Sequence, residues 1–374
     1  MKKTLKQTLL YKNSKSDFQG ITLISLVITI VILLIITSVS INVIIDTELF
    51  STSKKTLNDA KQGITNTQNQ TNELISEWDT IESGIKGGTY DPELDRTNIQ
   101  VGDYIAYTPD TASAYSLAST ESGYSSAQSI PQETLQWRVM NINEDGSVEL
   151  ISTTPISTTV YFNGALGYNN GVLILNAICK RHYSNASLGA IGRSLNLVDI
   201  ENKMNATGKA ARNAYTNSTS STQYGGTKTY TSTYSYAPDI FGKTGISIEE
   251  ESKDYYTTPT TATYAQKGSI TLTQTYYNII TQNTYFDDQT FYEMVFGTDA
   301  IYWLASRYYN CYAPYAIFGL RGINGAHLRG PNLFCSNIDS LDNYGSIRPV
   351  VTLGSNVKIS TTGGTAENPR TITL

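Results

Sequence analysis

The longest apolar stretch of the sequence lies close to its amino terminus. No charged residue occurs from Ile21 to Ile45, a run of 25 residues in which Val, Ile and Leu dominate. About 20 apolar residues in a helix suffice to cross a bilayer. The preceding residues 1–20 carry five lysines against the single acid Asp17, and basic flanks stay on the cytoplasmic side of a membrane. The pattern predicts a single-pass membrane protein whose carboxy-terminal part is extracellular.

Apolar residues continue at helical spacing beyond this run. Between Leu57 and Ile85 they recur every three or four positions, with polar residues between them, which is typical of an amphipathic helix. Gly87 and Gly88 end the pattern. The sequence therefore predicts one transmembrane and stalk helix over residues 21–86, and the alternative is a helix folded back on the rest of the protein.

Beyond these glycines the sequence changes to short alternating runs of apolar and polar residues. Two such runs flank Asp145 and Gly146, a pair that is common in hairpin turns. Three later runs are typical of core strands. They cover residues 301–306, 316–321 and 346–353.

Helical patterns in this part are short. Residues 170–183 and 196–204 are predicted as helices, and Asp287 or Asp288 is predicted to cap a third helix that runs through Met294. Helices mixed with antiparallel strands in this way indicate the α+β class.

The fold class predicted for the chain is α+β, with a long amino-terminal helix followed by a mixed head domain. The head covers residues 98–360, and a tail follows over residues 361–374. Within the head, residues 205–285 are rich in Thr, Ser, Tyr and Asn and hold few large aliphatic residues. Such a composition favours exposed strands or loops over a core. This insertion is interpreted as surface decoration, with ligand-contacting flaps as the alternative.

The amino-acid composition argues against several classes of function. The net charge is −5 and charged residues make up 16% of the chain, which argues against nucleic-acid binding because phosphates require basic patches. The two histidines, His182 and His327, and the three cysteines are too few for a His-rich metal site or a disulfide scaffold. No metal and no cofactor is predicted. The chain holds 27 tyrosines against 9 phenylalanines, and tyrosine is favoured on recognition surfaces because it joins a rigid apolar face to a polar tip.

Tyrosine, arginine and asparagine concentrate between the late strands, in residues 307–344. Aromatic and arginine side chains dominate binding hot spots, and binding residues usually lie on loops held by a rigid scaffold. The segment is therefore predicted to bind an extracellular protein or glycan. The candidate contact residues are Arg307, Tyr308, Tyr309, Asn310, Tyr312, Tyr315, Arg321, Asn324, His327, Arg329, Asn332, Asn337, Asp339, Asp342, Asn343 and Tyr344.

Residues Gln19–Leu26 resemble the prepilin-peptidase site of type IV pilins and pseudopilins. The resemblance implies a basic leader over residues 1–20, which prepilin peptidase removes after Gly20, and a methylated amino terminus at Ile21. The family usually has Glu at the fifth mature position, where this sequence has Ser25, and this difference disfavours a bulk filament subunit. Other pilin subunits are implied partners, and a minor pilin or pseudopilin with a structural role is the alternative function.

The head shows a second resemblance. Tyr302–Arg307, Ala316–Phe318 and Gly345–Val351 are similar to the end of a C-type-lectin-like domain. The similar branch includes formylglycine-generating-enzyme-like proteins and the variable proteins of diversity-generating retroelements. The resemblance implies a C-type-lectin-like fold and a surface at residues 307–344 that is diversified by error-prone copying of template adenines. A fixed binding site is the alternative.

Catalysis is a further alternative. Formylglycine-generating enzymes use a reactive cysteine pair, which the resemblance would place at Cys311 and Cys335. These cysteines are 24 residues apart in the most irregular segment of the sequence, and an extracellular disulfide between them is also consistent with it. The protein is predicted to be a pilin-like surface protein that displays a binding head, and not an enzyme.

Overall fold

The structure is a computed structural model, and it describes one compact unit of the chain that falls within Tyr90–Leu374. The described residues are 98–214, 227–232, 236–241, 247–266, 270–275, 282–312 and 315–374. The predicted leader, the helix over residues 21–86 and the processing residues Gly20 and Ile21 lie outside them.

Two sheets form the framework. The five-stranded sheet has the order β1 (Tyr104–Ile105), β4 (Trp137–Ile142), β5 (Val148–Ser152), β17 (Pro349–Leu353) and β7 (Ile191–Ser194). The six-stranded sheet has the order β14 (His327–Arg329), β13 (Tyr315–Asn324), β12 (Ile301–Tyr312), β16 (Asp342–Ile347) and β6 (Val160–Asn163), with β15 (Asn332–Cys335) also paired to β13.

Short antiparallel pairs and helices complete the described part. The pairs are β2 (Tyr115–Leu117) with β3 (Gln128–Ile130), β8 (Thr227–Ser232) with β11 (Ile270–Thr275), β9 (Tyr236–Pro238) with β10 (Tyr264–Gln266), and β18 (Lys358–Ile359) with β19 (Ile372–Thr373). The helices are α1 (Ser119–Ser122), α2 (Gly164–Tyr183), α3 (Leu197–Lys203), α4 (Ala206–Ala214), α5 (Ile248–Glu251) and α6 (Gln289–Phe296), with a 3-10 turn at Asn283–Tyr285.

The predicted α+β class with a long amino-terminal helix is contradicted, because the described chain is mostly sheet with six short helices. The error has a physical cause. Tyr, Thr and Ile favour extended backbone, so much of the predicted binding loop pairs as β12 to β16. The predicted insertion likewise contributes the strand pairs β8 with β11 and β9 with β10.

No helix in the described ranges combines the length and the apolar character that a membrane span requires. The longest, α2, has 20 residues but includes three asparagines and ends in Lys180, Arg181 and His182. The predicted single-pass membrane localisation is therefore not supported.

Short-range sequence patterns predicted one hairpin turn and the starts of two helices correctly. Strands β4 and β5 form the predicted hairpin, and Gly146 adopts the left-handed backbone (φ 82°) that its turn requires. Asp288 caps α6, because its Oδ1 accepts a hydrogen bond from the Phe291 N–H at 2.9 Å. Asn196 caps α3 in the same way. The predictions of this hairpin, of a cap at Asp288 and of a helix that starts near Asn196 are confirmed.

The run over residues 346–353, predicted as one strand, divides between the two sheets. Strand β16 ends at Ile347 in the six-stranded sheet, and β17 begins at Pro349 in the five-stranded sheet. Arg348 at the junction is buried, and its Nε and Nη2 donate to the carbonyl oxygen of Ser152 at 3.2 and 3.0 Å. The junction therefore joins the two sheets.

Helix α2 packs against the six-stranded sheet and positions the candidate site. Its Gly171 approaches Leu320 so closely that a Cβ atom there would lie 2.3 Å from Leu320 Cδ1. Apolar residues of α2 such as Val172 and Leu175 share a buried cluster with Trp303 of β12. Because α2 lies this close to the sheet, polar groups of α2 can form hydrogen bonds with β12 and with the chain segment that packs across α2.

Candidate ligand-binding surface

Segment 307–344 is largely part of the scaffold: residues 316–321 lie in β13, as predicted, and much of the rest, predicted as loops, is also paired as strands. Side chains alternate between the two faces of a strand, so the candidate contact residues differ in exposure. Arg307, Tyr309 and Arg321 are buried; Tyr308, Asn324, Asn332, Asn337 and Asn343 are half-buried; His327, Arg329, Asp339, Asp342 and Tyr344 are exposed. The side chains of Asn310, Tyr312 and Tyr315 lie outside the described part of the structure.

Residues 247–266, which we call the strap, belong to the predicted insertion but are fixed to α2. The buried Asn170 donates to the carbonyl oxygen of Thr260 at 2.8 Å and accepts from its N–H at 2.9 Å. The buried Asn169 donates to two further strap carbonyls at 3.0 and 3.1 Å. Buried amides that satisfy backbone groups in this way hold a segment firmly. The strap is therefore held firmly against α2, while most of its residues, Tyr264 among them, keep exposed surface.

Arg307 anchors the strap and is not an exposed contact. Its Nε and Nη2 donate to the carbonyl oxygens of Tyr168 and Asn169 in α2 at 2.9 and 2.7 Å. Its Nη1 donates to the carbonyl oxygen of Lys253 in the strap at 2.7 Å, and the guanidinium lies 5.5 Å from the centre of the Tyr255 ring. Burial lowers the pKa of Arg307. The prediction that Arg307 contacts a ligand is wrong.

Arg321 and Tyr309 are also committed to the interior. Arg321 Nε lies 3.2 Å from Oε2 of Glu251 in the strap, and both side chains are buried. The Arg321 guanidinium lies 5.3 Å from the centre of the Tyr308 ring. Burial raises the pKa of Glu251 to about 7, although Arg321 opposes this shift. Tyr309 packs against Phe318 in a buried cluster. The predicted contact roles of Arg321 and Tyr309 are therefore wrong.

Several of the exposed or half-buried candidates lie at opposite ends of the six-stranded sheet. Asn324, His327 and Arg329 lie along the pairing of β13 with β14, which is one edge of the six-stranded sheet. Tyr344 lies on β16, next to the opposite edge strand. These two groups lie at opposite ends of the strand order, so the predicted residues do not gather at one place on the sheet.

A tight turn connects β15 to β16. The Ile338 N–H donates to the carbonyl oxygen of Cys335 at 2.9 Å, and the Cys335 N–H donates to the carbonyl oxygen of Asp339 at 2.8 Å. Ile338 has φ 65°, and among the described residues it is the only one other than glycine with positive φ. A β-branched residue is strained in this left-handed region.

Exposed apolar side chains gather at this connection. Six large hydrophobic residues are exposed in the described ranges, and four of them lie on this connection or on strands that contact it. They are Tyr264 at 42%, Ile338 at 48%, Leu341 at 38% and Tyr344 at 54%. We call these four residues the apolar patch. They are joined through β15, because Tyr264 stacks on Phe334 at 5.3 Å and the backbone of Phe334 bridges to that of Ser340.

Two more tyrosines extend the patch. Tyr161 on β6 lies opposite Tyr344 in the strand register, with ring centres 5.8 Å apart. Tyr124 stacks on Tyr161 with ring centres 4.6 Å apart and an interplanar angle of 18°. Strand β6 is the edge of the sheet, and the amide of Gln128 pairs with the Tyr161 backbone, accepting from its N–H and donating to its carbonyl oxygen, each at 2.8 Å.

The charged side chains on the connection are acidic. Asp339 and Asp342 are exposed, and Oδ1 of Asp342 accepts from Nδ2 of Asn163 at 2.5 Å. Nδ2 of Asn343 donates to the carbonyl oxygen of Asn332 at 2.6 Å, so this amide supports the backbone. The polar groups available to a ligand here are therefore carboxylates.

Cys335 gives the enzymatic alternative no support. It is a free cysteine, so the suggested disulfide with Cys311 is not observed, and the Cys311 side chain lies outside the described part. Burial and, after it, Asp339 raise the pKa of the Cys335 thiol, whereas a nucleophilic cysteine needs a lowered pKa. The described ranges hold no group of three or more His, Cys, Asp or Glu side chains placed to bind a metal.

A cleft of about 170 Å³ lies elsewhere, between β1, the start of β4 and the carboxy-terminal tail. Its aromatic lining includes Tyr104, Tyr107 and Trp137. The hydroxyl of Tyr107 donates to the carbonyl oxygen of Tyr183 at 2.6 Å, and its ring packs edge-on against Trp137. Because Tyr107 and Trp137 are almost fully buried in the core and offer little surface to a ligand, the cleft is a weaker candidate than the apolar patch.

Sequence reasoning missed Tyr264, Ile338, Leu341 and Tyr161. Aliphatic residues are normally assigned to a core, and Tyr264 and Tyr161 lie far from segment 307–344 in the sequence. An Asn-Ile-Asp sequence at a hairpin turn was the available signal, because such turns usually hold glycine or asparagine at the left-handed position.

Comparison with models of protein families, with curated proteins and with solved structures gives no match for this chain. The resemblances to type IV pilins and to C-type-lectin-like domains therefore stay predictions.

Proposed function

We propose that this protein is a binding protein that recognises a protein or glycan ligand through the apolar patch and the tyrosines beside it. The observation that carries the proposal is the exposure of Ile338 and Leu341 on the β15–β16 connection, of Tyr344 on the adjoining strand β16, and of Tyr264, which stacks on Phe334 of β15. Contiguous exposed apolar surface rimmed by polar residues marks interaction sites, because a soluble protein otherwise buries such surface.

The support beneath the patch is consistent with this role. The strap that carries Tyr264 is held by buried hydrogen bonds from Asn169, Asn170 and Arg307. Preorganised side chains lose little conformational entropy when a ligand binds, and this raises affinity. Burial and the nearby Asp339 raise the pKa of the Cys335 thiol, which disfavours this cysteine as a nucleophile.

The test uses the full-length protein on a glycan array and on an array of short random peptides. We expect saturable binding to one array, at least tenfold weaker for the double variant Leu341→Ser/Tyr344→Ala, because truncating central contacts costs about 1–2 kcal/mol each. The variant Arg329→Ala at the opposite edge of the sheet is the matched control and should bind like the wild type. Absence of saturable binding to both arrays would refute the proposal.

Diversification of this surface is proposed only for exposed positions. Random substitution at the buried Arg307 or Arg321 would break the contacts that hold the strap. A diversified region would therefore vary at positions such as Asp339, Asp342 and Tyr344. The check is the neighbouring DNA, which should contain a near-copy of the coding segment that differs at adenines, and absence of such a copy would remove this part of the proposal.

Processing at Gly20 also remains a proposal. Sequencing of the mature amino terminus should show methylated Ile21 if prepilin peptidase acts on the chain. An intact leader would remove the assignment of prepilin peptidase and pilin subunits as partners.

A further inference from the structure

The residue at the tip of the β15–β16 turn does not suit the turn. The hydrogen bonds between Cys335 and residues 338 and 339 define a short hairpin loop whose last residue must be left-handed. Glycine fits that position best and asparagine tolerates it, whereas Ile338 is β-branched and strained there. Strain in a natural structure points to a functional constraint when nothing in the fold requires the residue.

Packing does not account for Ile338. Its side chain is 48% exposed, so about half of its apolar surface stays in contact with water. The next large apolar residue along the connection, Leu341, is 38% exposed. Both side chains expose apolar surface within three residues of the same connection, and only a ligand that covers this surface would remove it from water.

The charged residues of the chain segment that carries these two side chains are all acidic. Residues 335–344 contain Asp339 and Asp342 and no lysine or arginine, and both carboxylates are exposed. Complementary charge on a partner steers association and selects among partners. A ligand that covers Ile338 and Leu341 therefore gains from a cation placed beside an apolar group.

Sugar recognition fits this surface less well. Sugars stack on open aromatic faces, but Tyr124 and Tyr161 stack on each other at 4.6 Å, and Tyr264 stacks on Phe334. Aliphatic side chains such as Ile338 offer no stacking face. An apolar centre surrounded by a polar rim is instead the usual arrangement of a protein interface.

We propose that the ligand is a protein segment in which a lysine or arginine stands next to a large apolar side chain. The apolar side chain covers Ile338 and Leu341, and the cation pairs with Asp339 or Asp342. This inference rests on the proposed binding function and narrows it to one chemical class of ligand.

The test probes the full-length protein with an array of short random peptides and with a glycan array. We expect the bound peptides to be enriched in sequences that join Lys or Arg to Leu, Ile or Phe. Affinity for the best peptide should fall at least about tenfold between about 50 mM and about 300 mM salt, because exposed charge pairs are screened. The variant Asp339→Asn/Asp342→Asn should bind more weakly and lose most of this salt dependence.

Ile338→Gly separates binding from folding. It should weaken peptide binding at least about tenfold while the thermal midpoint stays the same or rises, because glycine relieves the turn. Ile191→Ala is the matched control, since Ile191 is an equally exposed isoleucine on β7, and it should not change binding.

Four outcomes would overturn the inference. Peptide binding by Ile338→Gly at wild-type strength, or bound peptides without basic residues, would refute it directly. Binding to the glycan array alone would refute it while the proposed binding function stands. Absence of binding to both arrays would refute both.

Discussion

At the scale of single residues, the arginines that were all predicted to contact a ligand differ in their surroundings. Arg307 has no exposed surface and donates to three backbone carbonyl oxygens, whereas Arg329 is exposed at a sheet edge. A buried guanidinium is stable only when its donors are satisfied. The carbonyls of α2 and the strap satisfy them here, and an arginine-rich sequence alone does not reveal this.

This placement makes a stability prediction. Arg307→Met should lower the free energy of unfolding by about 3 kcal/mol or more, because three buried carbonyl oxygens lose their donors. Arg329→Met should change it by no more than about 0.5 kcal/mol. Urea unfolding followed by tryptophan fluorescence measures both variants. Equal effects of the two substitutions would show that Arg307 is not an anchor.

The strained turn makes a second prediction at this scale. Ile338→Gly should leave the free energy of unfolding unchanged or raise it by up to about 1 kcal/mol, because relief of the left-handed strain outweighs the entropy that glycine adds to the unfolded chain. The same substitution at Ile191, in the regular strand β7, should lower it. Urea unfolding compares the two, and a loss of stability at Ile338 would contradict the account of the turn.

At the scale of elements, α5 contacts the six-stranded sheet through the buried carboxyl group of Glu251, which can gain or lose a proton. Glu251 is buried against Arg321, with Arg307 and Glu249 as the other charged neighbours that act on it. Its pKa is raised from 4.5 to about 7, chiefly by burial. Between these values the folded state holds a proton that the unfolded chain has released, so stability falls as pH rises.

The pH prediction follows from that sign. The free energy of unfolding should fall by about 1 kcal/mol for each pH unit between about 4.5 and about 7 because of this group. Glu251→Gln should remove this slope, and Glu249→Gln, an exposed change on the same helix, should keep it. Urea midpoints measured across the range test it, and an identical slope in wild type and Glu251→Gln would exclude Glu251 as the cause.

Elements differ in how far the sequence could predict them. The caps at Asp288 and Asn196 and the turn at Gly146 depend on neighbours within a few residues, so local rules were sufficient. The division of residues 346–353 between two sheets depends on Arg348 reaching Ser152, which is 196 residues away. Likewise the burial of Arg307 depends on α2, 139 residues away. Such contacts leave no local pattern in the sequence. The Tyr and Ile residues of segment 307–344 that lie outside the predicted strand 316–321 favour strands, but they were predicted to lie in loops.

At the scale of the whole molecule, the candidate surface is assembled from distant parts of the chain. The strap supplies Tyr264, β6 supplies Tyr161, and the β15–β16 connection supplies Ile338 and Leu341. The sequence indicated that residues 307–344 take part in recognition, but it could not show that the strap and β6 also contribute. The surface therefore depends on the docking of the strap as well as on its own residues.

This dependence predicts an indirect effect on binding. Asn170→Ala removes two hydrogen bonds to Thr260 and should release the strap. Peptide binding should fall about tenfold, and hydrogen exchange of strap amides should rise, while exchange of β4 and β5 stays slow. Asn202→Ala, an exposed change in α3, is the matched control. Unchanged strap exchange in Asn170→Ala would show that Asn170 does not hold the strap.

The amide of Gln128 closes the edge of the six-stranded sheet at Tyr161, and this has a consequence for how the surface can evolve. An open edge invites another chain to add itself as a further strand, through main-chain contacts that barely depend on sequence. With that route blocked at Tyr161, selectivity there depends on side chains alone. Partner choice can therefore shift by point substitution while the protein avoids self-assembly along this edge.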